Sequence, residues 1–151
     1  MKIVQLISPL DNRYNDKIAD LATNFSESNL NKVRFEIEIE WLIFLCAKGG
    51  KNFPSLSKPN IKNLQALKNS FDEKSARKIK SIERKTNHDV KAVEYFIRDE
   101  LKKSSSLKRY EHLVHFALTS EDVNSLSYAI LMRDAQIIYL KQLDVIIKEL
   151  N

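Results

Sequence analysis

"VRFEIEIEW", Val33 to Trp41, is the stretch whose reading decides the fold, because it supports two incompatible backbones. Taken residue by residue, it alternates apolar and charged side chains, the period of a half-buried strand. Wound at 3.6 residues per turn, it puts Val33, Ile37, Trp41 and Phe44 on one face and Phe35, Ile39, Leu42 and Cys46 on another. Such a helix would be wedged between two neighbours, with its glutamates in the remaining sectors. The run continues without a breaker through "LIFLCAK" to Gly49, a residue type that commonly ends helices. That continuity decides for helix.

Outside this stretch the same logic holds. The two glycines are adjacent at Gly49 and Gly50, and the prolines stand at 9, 54 and 59, so residues 60–151 contain neither. Long unbroken segments rich in Leu, Ile, Lys and Glu indicate an all-α protein. Ser57 and Pro59 suit a helix start, followed by Ile61, Leu64, Leu67 and Phe71 at helical spacing. A further helix runs from Asp72 to about Arg84 with Ala76, Ile79 and Ile82 inward, and another from Asp89 with Val90, Val93, Ile97 and Leu101 as its core stripe. "KKSSS", 102–106, reads as a linker, Leu107 to Leu118 as one more helix, and "TSED", 119–122, as a capping box in which Thr119 or Ser120 binds first-turn amides. The last helix carries Val123, Leu126, Ile130, Ile137, Leu140 and Ile147 to the end, with only Asn151 as a stop. Three turns of apolar surface with nothing downstream to cover them are expected of a helix cut short or docked on another chain. The expected organisation is an amino-terminal helical domain over 1–106 and the truncated beginning of a long-helix bundle domain over 107–151.

Composition narrows the function classes. A chain of 151 residues with 43% hydrophobic and 30% charged side chains can bury one soluble core. No apolar run reaches the length of a membrane span, and "MKIVQLISPL", with one Lys and Pro9, makes a poor export signal. Cys46 is alone, so no internal disulfide can form, which fits a reducing cytosol. The net charge of +5 favours anionic partners.

Several short words carry possible chemistry. In "NHDVK", 87–91, Asn87 can cap a helix, Asp89 can favour its dipole and His88 can be an ordinary surface residue. Alternatively the first-turn amides, His88 and Lys91 together bind an anion. Thr119 and Ser120 either cap or bind a carboxylate. In "SPLDNRYND", 8–16, Arg13 and Tyr14 are residue types suited to holding a phosphate. His112 and His115, three apart, lack the further ligands of a metal site. "RKIKSIERK", 77–85, alternates basic residues with Ile and Glu as a solvated helix face does, without an aromatic platform for nucleic acid. A basic helical module binding RNA or an acidic protein remains the alternative function class.

Three of these words occur in order: "SPLDNRY", "KSIERKTNHDVKAVEYF" and "HFALTSEDVNSLSYAI". Together they resemble adenylosuccinate lyase, particularly its bacterial form, from about Ser8 to the chain end. The family loop commonly has Gly where Asn12 stands; Asn can take a left-handed backbone, so little effect is expected. The resemblance implies a cofactor-free β-elimination of adenylosuccinate to AMP and fumarate, and of SAICAR to AICAR and fumarate, in a cytoplasmic homotetramer with no nucleic-acid or membrane partner. It implies that Arg13 and Tyr14 hold the nucleotide phosphate, that Asn87, His88 and Asp89 form a second substrate-binding segment, and that Thr119 and Ser120 hold the carboxylates. The family's base, a Ser in a "PHK" segment, and its acid, a His in an "HGQP"-like segment, have no counterpart in these residues. No catalytic residue and no metal ligand is therefore expected in the chain, His88 is expected to bind or orient, and the piece alone is expected to be inactive.

Overall fold

The structure, a computed structural model, describes residues 8–150. The reading of the start as a poor export signal rests largely on residues 1–7, and that of the final stop on Asn151; both lie outside the described residues. Within them the fold is all-α, as expected: α1 (Ala19–Asn24), α2 (Glu27–Lys48), α3 (Lys58–Asn69), α4 (Glu73–Thr86), α5 (Asp89–Lys102) and α6 (Ser120–Leu150), with short 3-10 turns at Pro9–Asp11, Asn15–Lys17 and Lys108–Leu113.

The deciding stretch lies wholly within α2. On a helix, a period of two becomes a period of four, because residues four apart stand nearly above one another. The alternation therefore unfolds into quadrants. Phe35, Ile39, Leu42 and Cys46 are all buried in the core, where the Phe35 ring lies between Phe71 at 5.3 Å and Phe96 at 5.6 Å. Of the other apolar face Val33 is buried, Ile37 and Trp41 are half-buried, and Phe44 is 54% exposed. Glu36 and Glu40 face outward and pair with Lys32 and Lys68.

The fourth quadrant corrects the expectation that the glutamates occupy sectors left over by packing. Arg34 and Glu38 are 4% and 1% exposed. They can be buried because each charge finds partners on neighbouring elements, without which desolvation would expel it.

Ser26 starts α2 by accepting the Asn29 amide at 3.1 Å. At its end Gly49 is needed for close approach, since a Cβ would collide with the Phe53 ring and the Leu45 carbonyl, and Gly50 is needed for its φ of 80°. Ser57 caps α3 where the sequence suggests a helix start, and Asp72, read as the first residue of the next helix, is the cap of α4. α4 and α5, joined by Asn87 and His88 alone, pack on each other and on α2 as a helical hairpin. Ile79, Val93, Ile97 and Leu101 reach zero exposure there, as does Leu64 of α3 in the same core.

The expected helix from Leu107 to Leu118 does not form. After the 3-10 turn, Val114 is extended, and His115 and Ala117 adopt left-handed φ values of 62° and 59°. Distant side chains override local helical preference. Tyr110 Oη donates to the Ser55 carbonyl at 2.9 Å, Trp41 Nε1 to the Phe116 carbonyl at 2.8 Å, and the His115 amide to Glu38 at 3.1 Å.

α6 packs along α2 and α1 through Val123, Ser127, Leu131 and Ala135, and Asn24 Nδ2 donates to the Leu131 carbonyl at 2.8 Å. Two of these buried positions, 127 and 135, carry small side chains. The apolar stripe is largely uncovered, as expected: Val123 is buried and Ile130 half-buried, but Leu126, Ile137, Leu140 and Ile147 are about half exposed. No helix among the described residues is long and apolar enough to cross a membrane.

Candidate functional site

The "NHD" triplet makes three separate local contributions. Asn87 ends α4 in a left-handed conformation, φ 50° and ψ 35°, its amide donating to the Glu83 carbonyl at 2.7 Å. Asn tolerates that conformation better than most residues. The cap expected of Asn87 is instead supplied by His88, whose backbone is extended and whose Nδ1 accepts the Lys91 amide at 3.2 Å. With Nδ1 accepting, Nε2 is the ring nitrogen left to donate. Asp89, the first residue of α5, accepts the Val90 amide on Oδ1 at 2.8 Å and pairs through Oδ2 with Arg34 Nη2 at 2.7 Å. Partial burial would raise the Asp89 carboxyl, but the Val90 amide and the Arg34 guanidinium outweigh it and hold the group below its ordinary 3.8.

His88 and Asp89 remain about half exposed and border a cleft of about 460 Å³, lined also by Glu27, Leu30, Arg34, Glu83, Asn87 and Tyr128. At its rim Lys80 bridges Glu27 at 2.7 Å and Glu83 at 2.8 Å, and those hydrogen bonds raise the lysine above its ordinary value. Lys91, expected to join His88 around an anion, instead pairs with Glu94 at 2.6 Å and lies over the Tyr95 ring.

Arg34 links this segment to the start of α6. Its Nη2 meets Asp89, its Nε donates to Asn124 Oδ1 at 3.0 Å, and its Nη1 donates to Asn31 Oδ1 at 3.4 Å. Asn124 belongs to "TSEDVN", one turn after Ser120. Thr119 and Asp122 form the capping box: the Thr119 amide and hydroxyl donate to Asp122 Oδ2 at 2.7 and 2.8 Å, and the Asp122 amide returns to Thr119 Oγ1 at 3.4 Å. The hydrogen bonds from Thr119 hold the Asp122 carboxyl below its ordinary value. Just before the box, Glu38 accepts the His115 amide and shares a hydrogen bond with the ring Nδ1. Burial pushes the Glu38 carboxyl above its ordinary 4.5, and the His115 hydrogen bonds oppose that rise without cancelling it.

The Arg13–Tyr14 loop lies elsewhere. Ser8 and Asp11 cap its first turn reciprocally, and the Arg13 guanidinium sits 5.4 Å from the Tyr14 ring centre. Asn12 has φ −134° and ψ −80°, so the left-handed freedom expected of it is not used. The chain that follows, Asp16 to Leu21, borders a cleft with Ile138 and Gln142 of α6. Ile138 is eighteen residues beyond Ser120, roughly 27 Å along the helix axis. The structure thus joins "NHD" and "TSEDVN" through Arg34, and leaves the Arg13–Tyr14 loop outside that junction.

The remaining candidates are otherwise engaged. His112 is exposed and His115 is held by Glu38, and among the described residues no three His, Cys, Asp or Glu side chains are grouped to hold a metal ion. In "RKIKSIERK", Arg77 pairs with Glu73, Lys78 with Glu100, and Lys80 with Glu27 and Glu83. Sequence reasoning missed Arg34, Glu38, Asn124 and Tyr128. A signal for the first two existed: opposite charges four residues apart, flanked by apolar faces on both sides.

Comparison with known proteins adds to this geometry. The profile of a lyase family matches residues 12–151. The chain is 44% identical over 131 residues to adenylosuccinate lyase of Escherichia coli strain K12 and 41% identical over 131 residues to that of Haemophilus influenzae. It is 42% identical over 130 residues to adenylosuccinate lyase of Legionella pneumophila strain Corby. These matches cover 85–86% of the chain but 28–29% of each relative, so the chain spans under a third of the length of the curated relatives it matches.

Proposed function

The chain belongs to the lyase family, and from that premise we propose that it forms the amino-terminal part of an adenylosuccinate lyase. The whole protein cleaves adenylosuccinate to AMP and fumarate, and SAICAR to AICAR and fumarate, in purine biosynthesis. The observation that carries this reading is the convergence of two separated words, "NHD" and "TSEDVN", on Arg34 in a chain similar along most of its length to enzymes of that name.

The substrate carries a phosphate and two carboxylates, and the chain offers groups suited to each. Arg13 and Tyr14 bind the phosphate, Arg by its planar fork and Tyr by its hydroxyl. Asn87, His88 and Asp89 form the second binding segment, with His88 able to donate from Nε2 while Nδ1 caps α5. Thr119 and Ser120 hold carboxylates at the start of α6, where helix amides favour negative charge. Asp89 serves chiefly by holding Arg34.

The reaction is a β-elimination. A base removes the proton next to a carboxylate, the carbanion is stabilised as its aci-form, and an acid protonates the departing nitrogen. The residues supplying base and acid belong to segments outside these 151 residues, and the piece binds and orients without catalysing. Residues 1–106 form an amino-terminal domain and 107–151 begin the central bundle. The exposed apolar surface of α6 belongs to the homotetramer interface of a cytoplasmic enzyme needing no cofactor. Neighbouring subunits bring an Arg13–Tyr14 loop to each Arg34-centred junction.

Fumarate release from adenylosuccinate, measured for the 151-residue chain and for the full-length protein, tests this reading. Turnover by the full-length protein alone is expected. Turnover by the short chain would overturn the division of labour, and its absence from the full-length protein would overturn the activity.

A further inference from the structure

Arg34 is an arginine with 5% of its side chain exposed, inside a helix whose neighbouring faces are apolar, and it uses three separate nitrogens on three partners. Asp89 begins α5, Asn124 lies in the second turn of α6, and Asn31 is one turn back on α2. A guanidinium fixes its donors in one plane, so the positions of Asp89 and Asn124 are set relative to each other by a rigid fork. A lysine offers one flexible ammonium and can serve only part of that set.

We infer that Arg34 is a positioning residue for the proposed reaction. Through Asp89 it orients the His88 turn, and through Asn124 it orients the Thr119–Ser120 turn. The two turns thereby keep the spacing that one polyanionic substrate needs. Asn124 is the second member of this device: its amide oxygen is the α6 end of the link, and its side chain has no place among the expected substrate ligands. The inference rests on the lyase reading above, because that reading makes the spacing of the two turns matter for substrate.

Steady-state cleavage of adenylosuccinate by the full-length protein, wild type against Arg34→Lys and Asn124→Ala, tests it. Misplaced binding turns weaken ground-state and transition-state binding alike, so KM should rise about tenfold in R34K and about threefold in N124A, with kcat changed by less than about threefold. KM does not depend on how much of the enzyme is folded, so a merely structural Arg34 would lower the yield or melting temperature and leave KM where it was. Unchanged KM in both variants overturns the inference while leaving the activity intact. If R34K does not fold, N124A decides, since it removes one arm of the fork and leaves the Arg34–Asp89 pair. A wild-type protein that does not cleave adenylosuccinate overturns the lyase reading itself.

Discussion

Glu38, at 1% exposure on α2, accepts the backbone amide of His115, a residue 77 positions further along the chain, and shares a hydrogen bond with its ring Nδ1. The contact closes the left-handed turn from which α6 departs. Burial keeps the carboxyl above its ordinary value. A folded-state value above the unfolded one means that the native state binds the proton more tightly. The resulting stabilisation is complete below the ordinary 4.5 and is lost as pH rises through the folded value. The stability of wild type minus that of Glu38→Gln should therefore be greatest at acid pH and shrink as pH rises. Urea unfolding across a pH series checks this; a difference that grows with pH would contradict it.

Asp89 behaves in the opposite sense. Its carboxyl is held below the ordinary 3.8 by the Val90 amide and Arg34, despite partial burial. The stability it contributes is present above that ordinary value and disappears as pH falls through the folded one. Asp89→Asn should be destabilising near neutrality and converge on wild type at low pH, as followed by thermal melting over the acid range.

His88 combines a cap and a candidate ligand, and the two can be separated. His88→Ala removes the acceptor for the Lys91 amide and should cost on the order of 1 kcal/mol. His88→Asn restores a capping oxygen, so its stability should return towards wild type. Nucleotide binding should suffer in both variants. Calorimetric titration of the full-length protein with AMP, beside melting curves, makes the comparison; recovery of affinity in His88→Asn would assign His88 to capping alone.

Backbone strain gives a prediction independent of function. Ala117 has φ 59°, a conformation costing an L-residue about 1–2 kcal/mol, while glycine adds about 0.5–1 kcal/mol of unfolded-state entropy. Ala117→Gly should be neutral or stabilise by up to about 1 kcal/mol. Gly50, at φ 80°, is the inverse case, and Gly50→Ala should destabilise by about 1 kcal/mol although nothing lies within 4 Å of its missing Cβ. Chemical denaturation of the two variants reads both.

Those strained positions also mark where sequence reading stopped. Helices whose limits depend on their own residues were legible: the starts near Ser57 and Asp72, the Gly49 stop, and the stripe Val90, Val93, Ile97 and Leu101. Segment 107–118 carries helix-compatible residues, yet its backbone is directed by Glu38, Trp41 and Ser55, all remote in sequence. No local pattern reports such contacts. The uncovered apolar surface of α6 was legible, whereas the face that α6 buries was not. Burial there falls on Val123, Ser127, Leu131 and Ala135, two of them small, whereas the larger side chains at 126, 137 and 140 are about half exposed. For the candidate site, the words "NHD" and "TSEDVN" stood out, and the arginine joining them did not. Its spacing from Glu38 between two apolar faces hints at burial, but its partners Asp89 and Asn124 are set by the packing of α5 and α6.

Trp41 is the single tryptophan of the chain, and its indole N–H is bonded to the Phe116 carbonyl while its ring stacks on Phe44 at 5.6 Å. The molecule thus carries an intrinsic fluorophore anchored to the turn that launches α6. Emission wavelength and quenching follow the wetting of that one indole, so ligand-induced movement of the turn can be watched optically without a label.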